Sequence, residues 1–282
     1  MNTRSPRFET LASGYGLVEG PRVDADDRLY FSDARGGGVY RRDPDGTIQT
    51  IVPKRRGVGG IALHAAGGIV ISGRNICRVR DGESRVVFDL EGALGFNDLI
   101  ADAAGRILVG SQRFDPFAAK PANVPGELYR VGPNGKAETI YRDVGLTNGL
   151  GFSPDGARLY HSDSERGHVI ATDLGEDGGW HGRRVFAEMP RGAPDGLAVD
   201  EAGCVWVACY GGGCVTRFAP DGSVDLALEV PAKTVASVCL GGSDRRDLYV
   251  TTADNRDDPA LKGSIFRTRV DVPGLPVAMA SL

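Results

Sequence analysis

The feature that most constrains this sequence is a pattern that occurs six times: a turn containing glycine or aspartate, followed by an alternating apolar strand. With Leu29 and Leu248 as the first and last equivalent positions, successive copies lie 38 to 52 residues apart. The copies are DADDRLYFSD (24–33), HAAGGIVISG (64–73), DAAGRILVGS (102–111), SPDGARLYHSD (153–163), DEAGCVWVACY (200–210) and GGSDRRDLYVTT (241–252). A repeat of this length predicts an architecture built from similar stacked units.

Most copies are followed by a second pair of strands around another turn, as in GGVYRRDPDGTIQTIV (37–52), GELYRVGPNGKAETIY (126–141) and GCVTRFAPDGSVDLAL (213–228). Each unit therefore offers four short strands, which is typical of a β-propeller blade. We predict an all-β fold, a single domain over residues 1–282, with six four-stranded antiparallel blades around a central channel. The segment RFETLAS (7–13) resembles an outermost strand and is expected to close the ring by pairing with the last blade.

Composition limits the partners of the chain. A net charge of −4 with interspersed signs gives no basic face for nucleic acid and no polybasic anchor, and no apolar run is long enough to span a bilayer. The five cysteines include no CxxC pair, which favours reduced thiols and a cytoplasmic location. We expect a monomer or a weak homo-oligomer with a small-molecule substrate, and neither nucleic acid nor a membrane as partner.

The repeat also predicts which side chains meet at the channel. The first strand of a propeller blade lines the channel, so the positions just ahead of the six turns should lie at one mouth. These positions are Glu19, Gly59, Asn97, Asn148, Asp195 and Ser237. Two acids and two carboxamides would converge there, and their oxygens are ligands that calcium, magnesium and manganese prefer. The alternative that each residue only caps a turn stays open, because Asn, Asp and Gly favour turns.

Five segments carry a resemblance to a known family: LVEGPRVD (17–24), FNDLIADAAGR (96–106), TNGLGFSPDG (147–156), PDGLAVDEAGCVWVACYGGG (194–213) and LYVTTA (248–253). Their EGP, TNG and PDG triplets occur in matching order and spacing. The chain resembles the gluconolactonase, regucalcin (senescence marker protein) and luciferin-regenerating enzyme family over nearly its whole length.

The resemblance implies a six-bladed propeller that holds one divalent cation in its channel, with Glu19, Asn148 and Asp195 as the metal ligands. Asn97 would contact substrate or water beside them. Calcium is the first expectation for the cation, and magnesium, manganese, zinc and iron stay open. Sugar-lactone hydrolases of the family often carry an arginine two positions before the asparagine of the ND pair, where this chain has Gly95. The resemblance thus implies lactone hydrolysis, on a substrate less polar than a sugar lactone.

Hydrolysis of a lactone requires carbonyl polarisation and an activated water, and a protein-bound divalent cation can supply both. Either Asp195 or Asp98 would take the proton from the attacking water. Asp195 is favoured, because the resemblance places it next to the cation. The alternative for Asp98 is a supporting role in the turn.

Substrate specificity is expected from the loops that follow the second strand of each blade. The longest is RFDPFAAKPANVPG (113–126), where Arg113, Phe114 and Phe117 are candidate substrate-binding residues. Asp163 and Tyr210 are further candidates on the same rim. Packing of the aromatic side chains beneath the loop, and an ion pair between Asp163 and a neighbouring arginine, are the alternatives for these residues.

Two other functions remain compatible with the same ring of residues. A metal-bound propeller similar to diisopropyl-fluorophosphatase would hydrolyse phosphotriesters, and a non-catalytic calcium-binding propeller would hold the cation without turnover. No G-x-S-x-G elbow surrounds a candidate nucleophile, so a serine hydrolase is not predicted.

Overall fold

The computed structural model describes residues 2–119 and 124–282. It is a six-bladed β-propeller, as the repeat predicts. From the inner to the outer strand, the first three blades are Val18–Val23, Leu29–Asp33, Gly38–Arg42 and Ile48–Pro53; Ile61–Leu63, Ile69–Ile71, Ile76–Arg80 and Glu83–Phe88; Gly95–Ala101, Ile107–Gln112, Gly126–Val131 and Ala137–Val144. The last three are Thr147–Phe152, Arg158–Asp163, His168–Leu174 and Trp180–Glu188; Ala193–Val199, Val205–Tyr210, Cys214–Phe218 and Val224–Glu229; Val235–Gly241, Asp247–Thr252, Gly263–Arg269 and Glu9–Tyr15.

The sixth blade closes the ring with a strand from the other end of the chain. Its outermost strand, Glu9–Tyr15, pairs antiparallel with Gly263–Arg269, so the predicted closure by the N-terminal segment is confirmed. A two-residue strand, Thr3–Arg4, adds in parallel to the outer edge of the fifth blade. Each inner strand contacts the inner strands of the blades on either side, and the sixth contacts the first.

The blades pack face to face through alternating apolar side chains. In one cluster, Tyr160 and Val169 of the fourth blade meet Leu197 and Val207 of the fifth. Successive side chains of a strand point to opposite faces of the sheet, so each blade supplies one apolar face to each neighbour. This packing fixes the rotation of every blade about the channel, and with it the direction of the inner strands.

Several copies of the repeat begin with an aspartate, and hydrogen bonds within the turn explain why aspartate occurs there. The Asp24 carboxylate accepts hydrogen bonds from the backbone N–H groups of Asp26 and Arg28, and Arg28 Nε donates to it at 2.7 Å. Asp102 makes the same three contacts with Ala104 and Arg106. These carboxylates close the turn between the inner strand and the second strand.

A second set of buried aspartates stands at the end of the second strands. Asp33 accepts hydrogen bonds from the backbone N–H groups of Gly16, Leu17 and Gly36 at 3.0, 3.2 and 2.7 Å. These bonds tie the segment that enters the inner strand to the loop that leaves the second strand. We call Asp33 and its counterpart in the fourth blade, Asp163, the rim aspartates.

Candidate active site

The site lies where the inner strands begin. In five of the six blades, the pairing between the inner strand and the second strand shifts register near that point, between Glu19 and Arg22, Phe96 and Leu99, Thr147 and Leu150, Pro194 and Leu197, and Val235 and Ser237. Such bulges redirect side chains and are common beside functional sites. They free the intervening residues from regular strand pairing at the channel mouth.

Glycines beside the bulged residues allow the inner strands to approach one another closely. A Cβ atom on Gly149 would lie 2.4 Å from the backbone nitrogen of Leu197 in the next blade. A Cβ atom on Gly196 would lie 1.9 Å from Ser237 Oγ. Gly20 has φ of +57°, in the left-handed region that favours glycine. These contacts explain the glycine of the EGP, TNG and PDG triplets.

The mouth encloses a cavity of about 630 Å³. Four of the six positions predicted to form a ring, Glu19, Asn97, Asn148 and Asp195, line it together, and so does Gly59. The repeat therefore brings residues that are far apart in sequence to one cavity, whereas Ser237 is not part of the cavity lining in the described residues. Glu19, Asn148 and Asp195 are only 8%, 9% and 3% exposed.

Hydrogen bonds fix the carboxamides. Asn148 Nδ2 donates to Ser164 Oγ at 3.1 Å, and Ser164 in turn donates to the Pro194 carbonyl at 2.6 Å. Asn97 Nδ2 donates to the Thr147 carbonyl at 2.9 Å. The Asn97 Oδ1 atom occupies the space that a side chain at Gly59 would need, since a Cβ there would lie 2.0 Å from it.

The two acids of the cavity are compensated less completely, although hydrogen bonds with Gly20 for Glu19 and with Gly196 and Asn148 for Asp195 oppose the rise of their pKa values. Asp195 Oδ1 is buried and has no hydrogen-bond partner in residues 2–119 and 124–282. Burial raises the pKa of Asp195 well above its usual value, and the nearby Asp98 carboxylate raises it further. Burial likewise raises the pKa of Glu19, followed by the negative charges of Asp195 and Asp98. Neighbouring carboxylates without a protein cation between them are a setting that a bound cation would stabilise.

The donor set suits a hard divalent cation. Two carboxylates and a carboxamide oxygen are the oxygen ligands that calcium, magnesium and manganese prefer. The orphaned Asp195 oxygen supplies an acceptor that the protein itself does not use. No cluster of three or more His, Cys, Asp or Glu side chains with metal-binding geometry occurs in the part of the chain that the structure describes, so any site here depends on the amide oxygen as well as the acids.

Asp98 stands apart from this set. It is 3% exposed, does not line the cavity, and accepts a hydrogen bond from the Leu99 N–H at 2.8 Å. Arg22 Nη2 lies 3.8 Å from its carboxylate. Burial raises the pKa of Asp98, and Arg22 opposes that rise. Its carboxylate therefore has a cationic side chain nearby, whereas only hydrogen bonds with Gly196 and Asn148 oppose the raised pKa of Asp195 among the described residues.

The loop candidates divide into two groups. Phe117 and Tyr210 line the cavity, whereas Arg113, Phe114 and Asp163 are absent from its described lining. Arg113 Nη2 lies 2.9 Å from Glu127 Oε1, and Phe114 is 4% exposed. Part of the predicted binding loop, residues 120–123, lies outside the described residues.

Asp163 is a rim aspartate, and its partners explain why it does not reach the cavity. It accepts hydrogen bonds from the backbone N–H groups of Gly145 and Leu146 at 2.9 and 3.2 Å. Arg166 Nη1 lies 3.1 Å from its Oδ2 atom. The expectation that it faces the pocket is thus replaced by its alternative, an ion pair with a neighbouring arginine.

Two further residues bear on the site. Arg35 lies in one of the loops after a second strand, where substrate specificity was expected, and it lines the cavity. Gly95 faces backbone rather than open space, because a Cβ there would lie 2.7 Å from the Gly73 carbonyl oxygen. The position two residues before Asn97 therefore has no room for a side chain, so no substrate-binding arginine can come from it.

The fold and the cavity define a class: six-bladed propellers that gather buried acids and carboxamides at one channel mouth. The family model for the SMP-30/Gluconolactonase/LRE-like region matches residues 17–254, and the chain belongs to this family. No helix in the described residues is long and apolar enough to cross a membrane.

Two similar proteins are lactonases by name. The 6-deoxy-6-sulfogluconolactonase of Pseudomonas putida is 36% identical over 263 residues, covering 87% of this chain and 88% of that protein. A pentonolactonase of Haloferax volcanii is 32% identical over 277 residues, covering 92% and 93%. The solved luciferin-regenerating enzyme superposes with a TM-score of 0.88 at 25% identity, covering 99% of this chain and 100% of that one. Family and relatives support a lactone hydrolase.

Proposed function

We propose that this protein is a divalent-metal-dependent lactonase that opens a cyclic ester with water. The observation that carries the proposal is the buried Asp195 oxygen without a hydrogen-bond partner, beside Glu19 at a cavity wall. A buried carboxylate oxygen without a partner costs free energy, and a bound cation would remove that cost by accepting it as a ligand.

Glu19, Asn148 and Asp195 would hold the cation, with calcium as the first choice and magnesium, manganese, zinc and iron as the others. When bound, such a cation supplies Lewis-acid polarisation to a lactone carbonyl. The hydrogen bond from Asn148 to Ser164 orients the carboxamide before any ligand arrives. This orientation lowers the entropy cost of forming the site.

In the proposed reaction, Asp195 accepts the proton of the attacking water. We prefer Asp195 to Asp98, because Asp195 lines the cavity. The Asp98 carboxylate instead accepts a hydrogen bond from the Leu99 N–H and lies near the Arg22 guanidinium. Asn97 would orient the substrate from the cavity wall, where the Thr147 carbonyl holds its amide. Asp98 would then act as a positioning residue for the inner strand of the third blade.

We further propose that the lactone carries fewer hydroxyl groups than a sugar lactone. Gly95 itself offers no side-chain donor, and Leu17, Leu94 and Leu146 contribute apolar surface to the cavity. The relatives named for a sulfogluconolactone and a pentonolactone make sugar lactones the natural comparison. A panel of aliphatic and sugar lactones would rank the two classes by kcat/KM, and a preference for the sugar lactones would overturn this part of the proposal.

The decisive test is Asp195→Asn in a proton-release assay on the lactone panel. We expect turnover to fall by about 10²-fold or more, which is the scale of a lost general base. Asp221→Asn, in an exposed turn of the fifth blade, is the matched control and should leave turnover unchanged. Chelator should abolish wild-type activity, and added calcium or magnesium should restore it.

A binding readout separates the cation from catalysis. A divalent cation at about 100 times its Kd should stabilise the wild-type protein by about 2.7 kcal/mol, and Asp195→Asn should lose most of that stabilisation. Chelator-insensitive turnover would overturn metal dependence. An aryl phosphotriester assayed in parallel distinguishes the phosphotriesterase alternative, and cation binding without any turnover would identify a non-catalytic calcium-binding propeller.

A cytoplasmic location is part of the same proposal. All five cysteines are free and buried, which suits a reducing compartment. Fractionation of the native host, followed by detection of the chain, would test it.

A further inference from the structure

Arg35 occupies an unusual place above the site. Its guanidinium lies over the Phe117 ring, with Cζ 4.6 Å from the ring centroid, and its Nη2 donates to the Tyr210 hydroxyl at 3.4 Å. The three side chains come from the first, third and fifth blades, which alternate around the ring. Contacts between alternate blades have to span the channel mouth. Arg35, Phe117 and Tyr210 therefore form a roof over the cavity that Glu19 and Asp195 line from below.

Arg35 is also the only cationic side chain that lines the cavity in the described part of the chain. Other arginines of the same rim have partners: Arg113 pairs with Glu127, and Arg166 pairs with Asp163. Arg35 forms no ion pair with a described residue, and its one hydrogen bond is the long contact to Tyr210. A guanidinium has five N–H donors, so most of those on Arg35 remain available to a ligand.

The charges around the cavity indicate which kind of ligand the free N–H donors of Arg35 would bind. This step rests on the proposed function: a divalent cation would balance Glu19 and Asp195, which leaves Arg35 as the charge facing the substrate from above. Asp115 and Glu165 also border the cavity; like Arg35 they are exposed at its rim, where water screens all three charges in the absence of a ligand. A neutral substrate would desolvate Arg35 without compensation, whereas an anion would pair with it.

We propose that Arg35 is a specificity-determining residue that binds an anionic oxo group of the substrate, and that the natural lactone carries such a group away from its carbonyl. Carboxylate, sulfonate and phosphate groups all match the planar donor pattern of a guanidinium. The Phe117 ring holds the guanidinium plane by stacking, and Tyr210 limits its rotation. The lactone carbonyl would then point toward the acids and its anionic group toward the roof.

The test compares two five-membered lactones that differ only in one substituent, a carboxylate in one and a carboxamide in the other. Arg35→Gln should lower kcat/KM for the carboxylate by about 10- to 100-fold, the scale of a charge-assisted hydrogen bond, mainly through KM. The carboxamide substrate should change by no more than about 3-fold. Arg85→Gln, on the exposed outer strand of the second blade, is the control and should alter neither.

Binding of the corresponding lactam carboxylate, measured by calorimetry, tests the same contact without turnover. Wild type should bind it more tightly than the lactam carboxamide, and Arg35→Gln should remove that difference. Equal losses on both lactones would show that Arg35 only supports the roof, and an unchanged preference would overturn its role while lactonase activity stands. Absence of hydrolysis together with an Arg35-dependent carboxylate preference would overturn the proposed function and retain the anion site.

Discussion

Asp163 and Asp195 are buried aspartates at the same mouth of the channel, yet their carboxylates differ in how many partners the protein provides. Asp163 accepts two hydrogen bonds from the backbone of the incoming segment and pairs with Arg166. Asp195 keeps one oxygen without any described partner and shares its surroundings with another acid. Burial alone therefore does not identify a functional carboxylate. What distinguishes the two is whether the protein itself satisfies the charge.

The rim aspartates and the cavity acids also differ in what they stabilise. Asp33 and Asp163 hold the entry to an inner strand, so they support the fold directly. The negative charge of Asp195 raises the pKa of Glu19, so the ionised pair costs stability. A functional site of this kind is maintained by the rigidity of the packed blades around it.

The largest effect on stability is expected at a rim aspartate. Asp163→Ala should lower the free energy of unfolding by about 4 kcal/mol, because several backbone N–H groups and Arg166 would lose their acceptor. Asp163→Asn should cost less, since its amide oxygen still accepts. Chemical denaturation of both variants measures the difference. A loss for Asp163→Ala no larger than that of an exposed turn variant such as Asp221→Ala would remove the distinction between the two sets of acids.

An intermediate effect is expected for the partner of Asp98. Arg22→Met should cost about 2 kcal/mol, because among residues 2–119 and 124–282 its guanidinium is the one cation near the buried Asp98 carboxylate, which still keeps its bond from Leu99. The double variant with Asp98→Asn should recover part of that loss. A double-mutant cycle measures the coupling, and purely additive losses would contradict the pairing.

The smallest effect has the opposite sign. In chelator, Asp195→Asn should raise the free energy of unfolding by about 1 kcal/mol, because one of two neighbouring buried charges is removed. With saturating divalent cation the order should reverse, and wild type should be the more stable protein. Thermal unfolding with and without cation tests both signs. Destabilisation of the metal-free protein by this substitution would place Asp195 with the rim aspartates.

Much of the fold could be predicted from the sequence, because turn chemistry and strand alternation repeat in every blade. Equivalence of Glu19, Asn148 and Asp195 followed from that repeat, and the structure brings the three to one cavity. The glycines that follow them also have a local cause, since the next inner strand fills the space of a side chain. These features depend on the same geometry in each blade, so they could be identified by aligning the six copies of the repeat.

The roof could not be predicted in the same way. Arg35, Phe117 and Tyr210 meet through contacts between alternate blades, which no repeat specifies. The partner of Arg113 was equally hidden, because Glu127 meets it only in three dimensions, whereas an ion pair of Asp163 with a neighbouring arginine was an alternative that the sequence left open. Position on a rim identifies candidates, and only the competition between partners decides which of them remains available to a ligand.

The strand Glu9–Tyr15 closes the ring as a clasp, because it pairs with Gly263–Arg269 of the sixth blade. The ring can therefore close only after the sixth blade has been synthesised, although Glu9–Tyr15 precedes the first blade in the sequence. Glu19 follows that clasp by four residues, on the same run of chain. The position of Glu19 in the cavity thereby depends on a pairing between strands that are far apart in the sequence, so loss of Gly263–Arg269 should also disturb the acid pair.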